Sequence, residues 1–289
     1  MATMKPAMKR LRELRVGEEP VYSLHDAVLA LLDDAIAALK LHRNDETVHA
    51  ARKRAKQVRA ALRLMRLSIG TDAYHRENRR IRDAGKPLTS VRDAFMLRRT
   101  LNHLPERPTD MRRTLDADYE KQRKALERKG WRVSVSKLQQ TRNALSSLPP
   151  AASEVASAID GVKRVYKSGR LAFRESRSRT DSALHEWRKQ AKYLLNQIEL
   201  IRAVFRVKMK NLHVRADTLA SVLGDDHDLA VFITRLEAQG KGSPALEKVI
   251  KKRRRRLQAQ ALRIGKRVYQ HSPSRVSAQI AHRLSRLRK

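Results

Sequence analysis

Cysteine is absent from this chain of 289 residues, which excludes disulfides, zinc–thiolate centres and thiol nucleophiles and fits a reducing compartment. Aromatic residues make up only 4%, with two Trp and four Phe, so few of the stacking platforms that single-strand nucleic-acid binders offer to bases are available. Glycine and proline are scarce and fall between periodic segments. No run of about 18 apolar residues and no signal-peptide hydrophobic region is found, so the expectation is a soluble cytoplasmic protein without membrane insertion. Acidic residues are the last shortage: 30 Asp and Glu stand against 65 Lys and Arg, a formal charge of +35 that runs along the whole chain. Solvated surfaces ordinarily mix both signs, so this excess predicts a polyanionic partner: nucleic acid, an anionic membrane surface or inorganic polyphosphate.

What is present is helix-forming sequence. Ala, Leu, Arg, Lys and Gln dominate, and the apolar residues recur at helical spacing, which predicts an all-α fold. Residues 1–17 read as a basic lead-in, and 18–285 as one domain with internal repeats at about 18–148 and 153–285. Helices are expected near 20–41, 46–68, 71–84, 87–103, 109–129 and 134–147. After a break at SSLPPAAS (146–153), where Pro149 and Pro150 cannot continue a helix, more follow near 153–178, 182–205, 208–223, 226–239 and 244–270, with a short one after Ser272. The run KKRRRR at 251–256 falls in or near the last long helix and has no assigned role.

The two halves share a pattern. VHAARKRAK (48–56) and LHEWRKQAK (184–192) both read H-x-x-R-K-x-x-K, with His49 and His185 separated by 136 residues. Downstream, SVRDAFML (90–97) resembles DDHDLAVF (225–232), and Asp93 follows His49 by 44 positions where Asp228 follows His185 by 43. That second matched spacing predicts a duplicated helical unit. On a wheel, Arg52, Lys53, Lys56 and Arg63 fall within about 60° of His49. Ala51, Ala55, Val58, Leu62 and Met65 lie opposite. Arg188, Lys189 and Lys192 flank His185 in the same way, opposite Trp187, Ala191, Leu194, Ile198 and Ile201. Asp45 and Asp181 are candidate N-caps, which would place each histidine in the first turn of its helix, where dipole and free amides favour an anion. A third basic stripe joins Lys163, Lys167, Arg170, Arg174 and Arg177 at spacings of three and four. The carboxylates of DDHD (225–228) are read as helix caps and partners for nearby cations, and Trp131 and Trp187 as packing residues. No phosphate-binding glycine loop, nucleophile elbow or metal-ligand spacing is found, so neither a catalytic residue, a cofactor nor a metal is expected.

VHAARKRAKQVRAALRLM (48–65), LHEWRKQAKYLLNQIEL (184–200), GVKRVYKSGRLAFRESR (161–177) and LGDDHDLAVF (223–232) resemble the histidine helices, basic helix and glycine-aspartate turn of the CHAD family, the "conserved histidine α-helical domain". The first-half counterpart of that turn, KPLTSVRDAF (86–95), carries Leu88-Thr89 in place of a leucine-glycine pair. The resemblance implies two pseudo-symmetric four-helix bundles around a basic cavity or pore that binds inorganic polyphosphate, with association to polyphosphate granules. Carried over by position, the phosphate contacts would be His49, Arg52, Lys53, Lys56, His185, Arg188, Lys189 and Lys192, with Lys163, Lys167, Arg170 and Arg174 from the basic helix and Arg59 and Arg63 beside them. The Glu-x-Glu-x-Lys signature of the triphosphate tunnel domain that some members carry is not found, so a phosphohydrolase activity is not transferred. The competing readings are a nonspecific DNA- or RNA-binding protein and a polyphosphate-processing enzyme that would hold Mg²⁺ at residues 225–228.

Overall fold

A computed structural model of the chain describes residues 23–41, 43–103, 109–148, 154–238 and 244–285. The 1–17 lead-in and the Pro149-Pro150 break lie outside them. Every regular element among the described residues is helical. In the first half these are α1 (Leu24–Leu41), α2 (Asp45–Leu64), a single turn α3 (Arg66–Ile69), α4 (Thr71–Asn102), α5 (Thr109–Ala125) and α6 (Trp131–Ser146). The second half holds α7 (Glu154–Glu175), α8 (Asp181–Val204), α9 (Lys210–Ala238), α10 (Pro244–Val268) and α11 (Pro273–Ser285).

Three expected breaks are absent. α4 runs straight through Pro87, where helices at 71–84 and 87–103 were expected. Proline removes one amide bond, but Ile81, Ala84, Leu88 and Val91 on either side are all buried in the core and hold the helix together. Likewise α9 continues through Gly224, so LGDDHD is helix interior rather than a turn, and its carboxylates cap nothing. Gly70 is the one glycine with positive φ among the described residues. A helical glycine costs only about 1 kcal/mol, which the packing of Leu219, Leu223 and Leu229 outweighs. α5 passes into α6 through a π-helical turn at Leu126–Gly130, with no loop at 130–133. There a Cβ on Gly130 would stand 3.0 Å from Pro87 Cβ, so the turn fits against the proline.

The caps differ by one residue from expectation. Asn44 caps α2, accepting from Thr47 N at 2.8 Å, and Thr180 caps α8, accepting from Ala183 N at 3.3 Å. Asp45 and Asp181 are the first helical residues and are engaged elsewhere: Tyr119 donates to Asp45 at 2.7 Å, and Arg254 to Asp181.

α1, α2, α4 and α6 close a ring, each packing against two others, while α7, α8, α9 and α10 pack in sequence with α11 against α7. The halves meet where α2 lies against α7 and α8, α1 against α8, and α4 against α9. Glu154 of α7 also accepts from the amides of Leu24 and His25 at 2.7 and 3.1 Å, satisfying the free first turn of α1 from the other half. The apolar interior is divided. The main core takes Tyr74–Ala94 of α4 and Ala216–Leu223 of α9, whereas Leu97 and Leu101 join Met111, Leu115, Leu229, Phe232, Leu236, Leu246 and Ile250 in a second core. On α9 residues 224–228 separate the two cores, and on α4 Arg92 and Asp93 stand between Val91 and Ala94, near the end of the main core.

Candidate functional site

Between the cores the charged faces of α2 and α8 meet the polar stretches of α4 and α9. Lys53 of α2 acts on Glu199 of α8, and Arg63 stacks over Tyr193 with its guanidinium 3.8 Å from the ring centroid. α2 and α8 pack against each other across the two halves. At their crossing, like charges face each other. Burial first, then the nearby Lys192, Arg52 and Arg188, push the Lys56 ammonium down to about 7. Burial, then Arg188, does the same to Lys192, down to about 8. Arg52 and Arg188 are also lowered, chiefly by burial. Lys56 nonetheless remains exposed to solvent. Lys56 is thus open to solvent and at the same time crowded by cations from both halves.

The arginines are held in place. Arg52 donates to the Thr89 hydroxyl and lies 3.9 Å from the Asp93 carboxylate, while Thr89 in turn donates to the Gly85 carbonyl at 2.8 Å. Asp93 and Asp228 are the counter-charges of the cluster: burial raises both carboxyls, and Arg188 and Arg92 pull both back. Arg92 of α4 is a fifth central cation, lowered by burial and then by Arg99 and Arg52. Lys56, Arg92, Arg188 and Lys192 form no ion pair among the described residues, and Arg188 Nε is buried without an acceptor. Three histidines border the cluster. His49 and His227 are each lowered to about 4, first by burial and then by the surrounding cations, and His185 is lowered for the same reasons. The rings of His185 and His227 lie 4.9 Å apart. Burial and the surrounding cations both disfavour protonation of these imidazoles.

The sequence comparison is consistent with this arrangement. The model of the family described as "CHAD domain" matches residues 23–237. The chain belongs to the CHAD family. The crystal structure of the CHAD domain from the plant Ricinus communis superposes with a TM-score of 0.57 at 16% identity, over 92% of this chain and 94% of that one, and so shares the all-α fold. No curated protein matches the chain. No helix among the described residues is long and apolar enough to cross a membrane.

Within this CHAD fold the sequence-derived candidates separate. His49, Arg52 and Lys56 come together with His185, Arg188 and Lys192. Lys53 and Lys189 sit at the margin, the first toward Glu199 and the second paired with Glu186. Arg59 donates to Asn78 at 2.9 Å, and Arg63 donates to the Arg59 carbonyl at 2.7 Å, which commits both to holding α2. Lys163, Lys167 and Arg174 are exposed on α7 and Arg170 is half-buried; none is among the charges acting on the central groups. Sequence reasoning passed over Arg92 and His227. Aligning Asp93 with Asp228 puts these two at equivalent positions, which was the available signal. A separate cavity of about 510 Å³ adjoins His185 and His227, but Leu97, Leu184, Leu223 and Val231 make it largely apolar, so it is not where the cations concentrate.

Proposed function

We propose that this protein binds inorganic polyphosphate in the cavity between its two halves, without turning it over. The observation that carries the reading is the meeting of Arg52 with Arg188 and Lys56 with Lys192, four cations whose mutual repulsion Asp93 and Asp228 offset only in part. A chain of phosphates supplies a charge at every unit and is slim enough to lie between two helices. Guanidinium groups offer it forked contacts and ammonium groups point charges. Membership of a family associated with polyphosphate supports the same conclusion, and recruitment to polyphosphate granules is the cellular role it implies.

Binding to phosphate chains of graded length, against duplex DNA and RNA at fixed salt, tests the proposal. Long polyphosphate should bind more tightly than either nucleic acid, and the combined Arg52→Ala, Lys56→Ala, Arg188→Ala, Lys192→Ala variant should lose that binding while keeping its helical circular dichroism. Tighter binding to nucleic acid, persisting in the variant, would assign the charge to the exposed α7 stripe instead. Incubation with Mg²⁺ and polyphosphate should leave chain length unchanged. A fluorescent fusion should collect on granules in cells, and the fourfold variant should stay diffuse.

A further inference from the structure

The residues of the KKRRRR run divide by what they touch. Lys251 pairs with Glu247 at 2.9 Å. Arg254 is a clamp: its Nε donates to Asp226 at 3.0 Å and its Nη2 to Asp181, while Gln258 donates to the same Asp226 at 3.1 Å. The clamp fixes the rotation of α10 against α9 and α8. Arg253, one position earlier, therefore faces elsewhere, into a small groove of about 120 Å³ that it shares with Arg99, Thr100 and His103 of α4 and with Asp225 and Asp228 of α9.

The groove neighbours the central cluster of cations. Asp228 lines it and also acts on Arg188 and Lys192, and Arg99 acts on Arg92. Arg99 and Arg253 are exposed and form no ion pair among the described residues. Adding them to the five central cations sets seven positive groups against Asp93, Asp225 and Asp228, so the excess persists along the path. On the other side, the α2–α8 crossing is occupied by Arg63 stacked on Tyr193.

We propose that a long anionic chain held in the central cavity leaves it through the groove between α4, α9 and α10, where Arg99 and Arg253 take its next phosphates beside His103. This rests on the reading of the cavity as a polyphosphate site. It makes affinity depend on chain length, because a short chain fills the cavity without reaching the groove.

The test compares wild type with Arg99→Ala/Arg253→Ala and with Lys252→Ala/Arg255→Ala, which removes the same charge from exposed positions outside the groove. Each is titrated with tripolyphosphate and with long-chain polyphosphate across a range of salt. The groove variant should lose roughly tenfold in affinity for the long chain, the size expected when two exposed charged contacts are removed. Its salt dependence should flatten by about two contacts, and tripolyphosphate binding should not change. The control pair should behave as wild type. Unaltered long-chain affinity, or an equal loss for both lengths or in both variants, would overturn the path and leave the cavity reading standing. A wild type that binds neither chain would remove the cavity reading and the path together.

Discussion

Arg52 donates to Thr89 and lies 3.9 Å from Asp93, so its guanidinium is positioned before any ligand arrives. Thr89 is the residue that departs from the leucine-glycine pattern, and here its hydroxyl serves as the seat of that arginine. Asp93 and Asp228 balance part of the cluster, and an incoming anion has to compete with them. Changing both to Asn should raise polyphosphate affinity roughly three- to tenfold at low salt, less at high salt, as isothermal titration would record. The ionisation of the cluster gives a second expectation. Lys56, pushed down to about 7, gains its proton as pH falls through neutrality and makes the cluster more positive, whereas His49 and His227, lowered to about 4, stay neutral there. Internal phosphates stay ionised there, so long-chain affinity should climb as pH falls from 8 to 6, and Lys56→Arg, charged throughout, should flatten the slope. Arg254 and Arg253 are neighbours with opposite duties. Removing Arg254 leaves Asp226, whose side chain is 4% exposed, without its charged partner and should cost about 3 kcal/mol in a denaturant titration, whereas Arg253→Ala should leave stability unchanged.

At the level of the helix, periodicity located the elements and failed at their interruptions. Pro87 and Gly224 were expected to end helices, yet α4 and α9 run through them because apolar residues on both sides are buried. That continuity is what builds the site. Each long helix leaves the main core and enters the second, carrying the polar residues 225–228 between the cores on α9 and Arg92 and Asp93 near the end of the main core on α4. Close helix approach is equally consequential. A Cβ on Gly161 of α7 would meet the Arg63 carbonyl and Leu64 Cα of α2, both at 2.8 Å and both backbone atoms that cannot swing aside. Gly161→Ala should therefore destabilise by about 1–3 kcal/mol and weaken anion binding by displacing α2, while Ala at Gly224, which meets nothing within 4 Å, should be tolerated. Thermal melts of the two variants separate these outcomes.

At the scale of the whole molecule, the cluster of cations exists only because both halves contribute to it. A ligand that bridges them stabilises the folded form: at a hundredfold excess over Kd, long polyphosphate should add about 2.7 kcal/mol. The rise in melting temperature should vanish in Arg52→Ala/Arg188→Ala. The all-α class, the two histidine helices and the basic face of each were readable from the sequence, since spacing on a helix fixes which residues share a side. That Lys53, Arg59 and Arg63 turn to Glu199, Asn78 and Tyr193 was not readable. Their partners lie on other turns or other helices, and a wheel carries no information about what stands opposite.

Composition and periodicity by themselves determined a basic, helical chain suited to a polyanion, because charge count and apolar spacing are local properties of the sequence. The tertiary structure decided which cations converge. It packed α2 against α8, ran α4 and α9 unbroken from one apolar core into the other, and used Arg254 to turn Arg253 toward the groove. Those outcomes depend on which buried faces pack together, and the run KKRRRR shows the consequence: its identical arginines acquire different roles only when their helix is docked.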